Sequence, residues 1–247
     1  MDPLTTTAAS GLQAHMDSLE MLANNLANTS TGGYKADREF YSTYMAPELA
    51  DSGDPMTSIS PVVEGPWIDF KQGLLQTTGN PTDLAISGSA FFAVNGPNGQ
   101  TLYTRNGNFQ LSPTGVLITN DGYPVRLTGG QTLQVQSTDP LQVNPEGQIS
   151  QDGSDLGQLD LVDFQDKSDL TKVGDTYFRP ASSKAGPAPA TDSQVNQGRL
   201  EASNGGGSQG SVRIVSLLRQ FDMLQKAIKI GSEMNREAIE QVAKVGP

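Results

Sequence analysis

The chain has 247 residues and a formal net charge of −11, a balance that suits neither nucleic acid nor an anionic membrane surface, since both call for clustered Lys and Arg. It contains 27 Gly and 15 Pro, too many turn formers for an all-helical protein. It has no cysteine, which excludes disulfides, thiolate metal sites and a cysteine nucleophile.

The opening residues, "MDPLTTTAASG", place an acid where a secretory leader carries basic residues, and they lack a continuous apolar segment. No run approaches the roughly 18 apolar residues that span a bilayer. The sequence therefore predicts no cleaved signal peptide and no membrane insertion. Leu4 to Asn28 predict the first helix. Thr5, Ala8, Leu12, His15, Leu19, Leu22 and Leu26 recur at alternating steps of three and four, a heptad-like stripe that Ala9, Met16 and Ala23 widen. Away from it lie Asn24, Asn25 and Asn28, although asparagine is roughly 0.6 kcal/mol worse than alanine in a helix. An exposed face normally carries Glu, Lys or Arg instead. "TSTGG" stops the helix: the hydroxyls compete for backbone bonds, and Gly32 and Gly33 supply left-handed conformations.

Residues 1–46 thus form an N-terminal helix and its exit segment. Residues 47–71, with Pro47, Pro55, Pro61 and Pro66, predict an irregular extended connector. Residues 72–203 predict a β-rich domain. Short runs of Val, Ile, Leu, Phe and Thr are separated by turn signals at Asn98-Gly99, Asn106-Gly107, Asp121-Gly122 and Glu146-Gly147. That spacing suits an antiparallel sandwich or barrel. Phe91, Phe92, Tyr103, Phe109, Leu117, Ile118 and Val125 are the candidate core. Gly88, Gly107 and Gly122 are candidate structural turns, and Gly88 and Gly107 are expected in backbone conformations that other residues resist.

Residues 204–247 hold a glycine joint and a second helix, from about Ser211 to Val245. Ile214, Leu217, Phe221, Leu224 and Ile228 make its stripe, which Met234, Ala238, Val242 and Val245 continue after an expected break at Gly231. Neither helix can hide its stripe alone. The expected fold is therefore α+β, mainly β: an antiparallel β domain inserted between N- and C-terminal amphipathic helices that pair as a coiled coil. Leu12, Leu19, Leu22 and Leu26 would face Leu217, Phe221, Leu224 and Ile228.

Few residues suggest chemistry. His15, the one histidine, sits on the helical stripe without ligand partners at metal spacing. "GGSQG", Gly206 to Gly210, matches the letters of a nucleophile elbow. It lacks the preceding buried strand, however, and a histidine that follows in chain order. Asp152, Asp155, Asp160, Asp163, Asp166 and Asp169 lack the spacing of a calcium loop and read as the solvated edge of strands. There is no phosphate-binding loop. No enzyme, cofactor or metal is expected.

Longer motifs point elsewhere. "LANNLANTSTGGYKAD" resembles the N-terminal signature of bacterial flagellar rod and hook proteins. "TGNPTDLAISGSAFFAVN" with "YTRNGNFQLSPTGVLITNDGYPV" resembles the core motif of that group, and "GRLEASN" with "LLRQFDMLQKAIKI" its C-terminal joint and helix. The resemblance implies a subunit of the flagellar axial structure, with paired terminal helices lining an inner tube and the β domain outside. It implies export through the flagellar export apparatus, and other rod and hook subunits as partners. Length and the C-terminal motif point to a rod protein, of which the shorter, proximal-rod kind is favoured over the distal-rod kind, and a full-length hook protein would need further outer domains. In one respect the chain departs from the pattern: Gly205, Gly206 and Gly207 follow Asn204, where the family enters its helix directly. In a helical array of identical chains a charged face would meet like charge, whereas a neutral amide donates to one neighbour and accepts from another. Asn24, Asn25 and Asn28 are accordingly candidates for subunit packing. The alternative of another class is an oligomeric β-rich adhesive or carbohydrate-binding module.

Overall fold

The computed structural model describes residues 3–44, 60–135 and 140–245. They fall into two compact units: one draws on Met1–Leu26, Asp37–Trp67 and Gly207–Pro247, the other on Ala27–Ala36 and Ile68–Gly206.

The first unit contains α1 (Pro3–Ala27), β1 (Asp37–Tyr44), β2 (Ser60–Ile68) and α2 (Gly207–Val245). Periodicity located the central line of each shielded face but not its width on α1, where Met16 and Ala23 are exposed and Ser18 is buried instead. On α1, Leu22 is buried and Leu12, His15, Leu19 and Leu26 are half-buried. On α2, Leu217 is buried and Ile214, Phe221, Leu224 and Ile228 are half-buried, while every other residue from Ser211 to Met234 is exposed; Met234, expected to continue the stripe, is turned away from it because the helix keeps its phase without a break. Two boundaries differ from expectation. α2 starts at Gly207, inside the glycine joint, and it runs unbroken through Gly231. A single glycine costs a helix only about 1 kcal/mol relative to alanine, too little to interrupt 39 residues.

β1 and β2 form a two-stranded sheet. Residues 60–68 are thus a strand, where the prolines predicted irregular connector. A two-stranded sheet consists only of edges, so a proline there can turn its missing N–H away from the ladder. Residues 47–59 of that connector lie outside the described residues.

The second unit is built on an antiparallel sheet of six strands. In chain order these are β5 (Phe91–Asn95), β6 (Thr101–Thr104), β12 (Leu161–Phe164), β13 (Leu170–Val173), β14 (Tyr177–Pro180) and β15 (Pro187–Pro189). They lie side by side in the order β13-β14-β6-β5-β12-β15. Smaller antiparallel sheets pair β7 (Phe109–Leu111) with β8 (Leu117–Thr119), and β10 (Gln148–Gln151) with both β9 (Gln142–Val143) and β11 (Ser154–Gln158). The first strands of the unit pair with its last: β3 (Leu75–Thr77) with β17 (Arg199–Glu201), and β4 (Leu84–Ser87) with β16 (Gln194–Gln197). The fold is thus two helices flanking a mainly antiparallel β region.

The run "FFAV" in β5 is apolar without alternation because both faces of the sheet are covered. Phe92 and Val94 enter one core with Leu84, Ile86, Leu102, Phe109, Leu117, Val125, Ile149 and Val195, so the smaller sheets cover that face. Phe91 and Ala93 enter the other with Tyr103, Val162, Phe164, Leu170 and Phe178. There Phe70 meets the rings of Phe91 and Phe178 edge-on, at centroid distances of 5.7 and 5.2 Å. Of the candidate core residues, only Ile118 is not fully buried.

The candidate turns divide by physical cause. Asn98 and Gly99, between β5 and β6, both have positive φ (61° and 74°), as a tight Asn-Gly turn demands. Gly122 (φ 84°) closes the turn after β8, and its N–H donates to Thr119 O at 2.9 Å. Gly33 and Gly88 are also left-handed, with φ of 68° and 126°. Gly32 is not, contrary to expectation, and neither is Gly107. Its constraint is a backbone crossing, where a Cβ would lie 1.6 Å from Leu84 O. Gly107→Ala is therefore expected to destabilise the protein well beyond the roughly 1 kcal/mol of a positive-φ substitution in open space such as Gly122→Ala. Urea unfolding of the two variants measures this, and equal costs would refute the crossing as the cause.

Candidate functional site

Three segments carrying the longest motifs meet inside the second unit. Tyr34, Lys35 and Ala36 follow the stop of α1. Arg105 follows β6. Glu201 ends β17, with Asn204 three residues on. Lys35 and Glu201 have fully buried side chains, and that of Arg105 is 2% exposed. Lys35 Nζ donates to Glu201 Oε1 at 2.6 Å and to Lys71 O at 2.8 Å. Arg105 Nη1 reaches Glu201 Oε2 at 3.3 Å, and Nη2 donates to Gly88 O at 2.8 Å. The guanidinium also lies 4.9 Å from the centre of the Phe91 ring. Gly73 N donates to Glu201 Oε1 at 2.8 Å, and Gly33 N to Glu201 O at 2.7 Å. A Cβ on Gly33 would sit 2.2 Å from Asn106 N, so this approach needs glycine as well as its left-handed φ.

Asn204 binds a second set of backbones. Its Oδ1 accepts from Ala36 N at 2.7 Å, and its Nδ2 donates to Asp69 O at 2.6 Å and Lys71 O at 3.0 Å. A side-chain amide offers both donors and an acceptor, which a carboxylate cannot do.

One carboxylate thus faces two cations, and Asp69, 3% exposed, adds negative potential at Lys35. Burial pulls the Lys35 ammonium below the usual lysine range, opposed by the charge and hydrogen bond of Glu201. Burial also lowers Arg105, again with Glu201 opposing. Desolvating such charges is expensive, and removing one partner leaves an uncompensated buried ion. Sequence reasoning did not single out Lys35, Arg105, Glu201 or Asn204 individually. A usable signal was present: Arg105 directly follows the buried strand "TLYT", where a charge must be paired.

The other candidates fall in several places. Asn25 clamps the backbone of Asp37, its Nδ2 donating to Asp37 O at 2.8 Å and its Oδ1 accepting from Asp37 N at 3.0 Å. Asn28, just beyond α1, accepts from Thr31 Oγ1 at 3.0 Å. Asn24 is exposed and borders a concavity with Asp17, Ser18, Met21 and Asp37. Gly11, Ala14 and His15 of α1 and Arg213, Ser216, Leu217 and Gln220 of α2 line a second concavity of about 410 Å³. Arg213 also reaches Glu39 Oε2 on β1 at 3.1 Å.

Gly206 to Gly210 are the entry and first turn of α2, so no strand leads into an elbow. The aspartates serve locally. Asp160 pairs with Arg126 at 3.1 Å and Asp163 with Lys167 at 3.0 Å. Asp166 accepts from Ser168 N at 2.9 Å, and Asp169 from Ser182 N at 3.0 Å. Among the described residues no three His, Asp or Glu side chains are grouped to hold a metal ion.

Glu201→Gln is expected to cost roughly 3–5 kcal/mol of unfolding free energy at neutral pH. A folded-state Lys35 below its unfolded value releases its proton first on folding, so its contribution to stability rises with pH over that interval. The deficit of Glu201→Gln should accordingly narrow under alkaline conditions, where neutral Lys35 needs no partner. Lys35→Met, Arg105→Met and Glu201→Leu combined should recover most of the loss. Urea titrations across pH check both points, and a triple variant as weak as Glu201→Gln would contradict the electrostatic cause.

Comparison with known proteins bears on the chain from end to end. Residues 85–153 match the family model for the flagellar hook protein FlgE/F/G D1 domain, and residues 6–35 that for flagella basal body rod proteins. The flagellar basal-body rod protein FlgF of Caulobacter vibrioides is 34% identical over 230 residues, covering 92% of each chain. FlgG of the same organism is 28% identical over 251 residues, covering 92% of this chain and 95% of its own. FlgF of Rhizobium meliloti is 31% identical over 225 residues, covering 90% of each. The buried junction therefore joins pieces of both matched regions, Lys35 from one and Arg105 from the other, and the chain belongs to the flagellar basal-body rod protein family.

Proposed function

We propose that this structural rod subunit self-assembles through its paired terminal helices, and that the resulting axial tube transmits torque for motility. The observation that carries the reading is the surface of α2. Opposite its shielded stripe, Val212, Met223, Ile230 and Met234 are 57–73% exposed. Over a helix of roughly 58 Å such a surface suits burial against neighbouring chains better than water.

Coiled-coil pairing of Leu12, Leu19, Leu22 and Leu26 with Leu217, Phe221, Leu224 and Ile228 is supported by two features. These stripes are the less exposed sides of their helices, and residues of both helices border one concavity. Charge favours the same pairing. α1 carries Asp17 and Glu20 without Lys or Arg, whereas Arg213, Arg219, Lys226 and Lys229 outnumber Asp222 in α2 as far as Ile230. Asn24 faces neighbouring subunits, while Asn25 and Asn28 serve packing indirectly by fixing where the chain leaves α1.

Other rod and hook subunits are the partners, and the flagellar export apparatus delivers the chain without a cleaved signal peptide. Nucleic acid is not a partner, given the acidic balance. No helix among the described residues is long and apolar enough to cross a membrane. The proximal position is favoured, since within one organism the FlgF relative is the more similar.

Leu19→Asp with Leu22→Asp, or Leu217→Asp with Phe221→Asp, should abolish swimming and incorporation into basal bodies while the β unit unfolds at its usual urea concentration. Asn24→Asp should impair swimming in the same way, and normal motility would remove it from the interface. In dilute monomer, trypsin should cut α2 between Arg213 and Lys229 before it cuts the β unit. A long helix without a partner surface is marginal in water, so α2 is expected to order only on assembly, and a protease-resistant α2 would contradict this.

A further inference from the structure

We propose that residues 193–204 are a clasp that closes the β unit last, with the Glu201 carboxylate as its catch. β3 and β4, the first strands of the unit, find their ladder partners in β17 and β16, its last. Gln76 lies opposite Leu200, and Ile86 opposite Val195. By contrast, β5 with β6, β7 with β8, β10 with β11, and β13 with β14 are pairs of successive strands. Loop closure grows costlier with separation, and non-local pairings form slowly. The hairpins are therefore the early structure and the clasp the late one.

The clasp makes contacts along its whole length. Ser193 Oγ accepts from Ala90 N at 3.1 Å, and Val195 N donates to Pro145 O at 2.8 Å. The Gln197 amide donates to Pro81 O at 2.8 Å and Leu141 O at 2.6 Å, and accepts from Val143 N at 3.1 Å. Gly198 N donates to Asp83 O, and Gly198 O accepts from Thr78 N and Gly79 N. Ala202 N donates to Leu74 O at 2.8 Å.

The catch decides when these contacts become permanent. Lys35 lies 166 residues before Glu201 and Arg105 lies 96 before it. Charged, neither can remain in a dry interior without a counter-ion. Before Glu201 arrives, Lys35 has only Asp69 and Arg105 only Asp163 to offset the cost of burial, and the segments that carry them stay loose. A chain made from its N-terminus therefore holds this unit unlocked until residue 204 of 247 is available, with the local hairpins already formed.

The test is refolding of the full chain from urea with pulsed hydrogen exchange read by mass spectrometry. Amides of β5 and β6 should gain protection ahead of those of Gly33, Gly73, Gly198 and Ala202. In stopped-flow unfolding followed by tyrosine fluorescence, Asn204→Ala should unfold about tenfold faster and fold within about twofold of the parent rate, as expected for contacts made after the transition state. Glu201→Gln, where it folds, should shift the same rate. Simultaneous protection of clasp and hairpin amides, or variants that mainly fold more slowly, overturns the proposal.

Discussion

A single carboxylate neutralising two buried cations is the constraint on which the β unit depends. Lys35, Arg105 and Glu201 belong to three segments remote in sequence, and none of the three can occupy its place alone without an unpaired charge in a dry interior. Around this triad the backbone must approach closely, which accounts for Gly33 and Gly73 at its border. Their amides spend their hydrogen bonds on Glu201, and a Cβ at Gly73 would lie 2.0 Å from Ala202 O. Buried ion pairs contribute little net stability compared with apolar packing, so the role that fits them best is choosing one arrangement of strands over others. A slip of β17 by one residue would turn Glu201 out to water and leave both cations inside.

The helical unit obeys the opposite logic. Its long helices carry apolar stripes, yet α2 buries only Leu217 between Ser211 and Met234. A subunit of a rod has reason to leave such a surface unspent. On the proposed assembly, stability withheld from the single chain would be gained between subunits, while the β unit has its own folded core.

Periodic features of this architecture were legible in the sequence. The stripe from Ile214 to Ile228 was visible because helical shielding repeats every three or four residues. Phe91 and Phe92 were visible because an unbroken apolar run needs cover on both faces of a sheet. Features made by distant contacts were not. Nothing local to "YKAD" announces that Lys35 is buried, because its partner lies far along the chain. Gly107 was singled out for the wrong cause, since a backbone crossing leaves no mark in the residues beside it. β2 was obscured by prolines whose effect depends on whether a strand has one neighbour or two. Asn25 looked like a surface amide because its clamp on Asp37 forms only after the chain has turned back beyond Gly33.

The segment that first brings the chain into the β unit after α1 and the one that leads out to α2 are hydrogen-bonded to each other, Gly33 to Glu201 and Ala36 to Asn204. The unit thus works as a cassette with a fixed mouth. Tight turns far from both ends, such as Asn98-Gly99 and Asp152-Gly153, can lengthen without altering the spacing at which the two ends are presented.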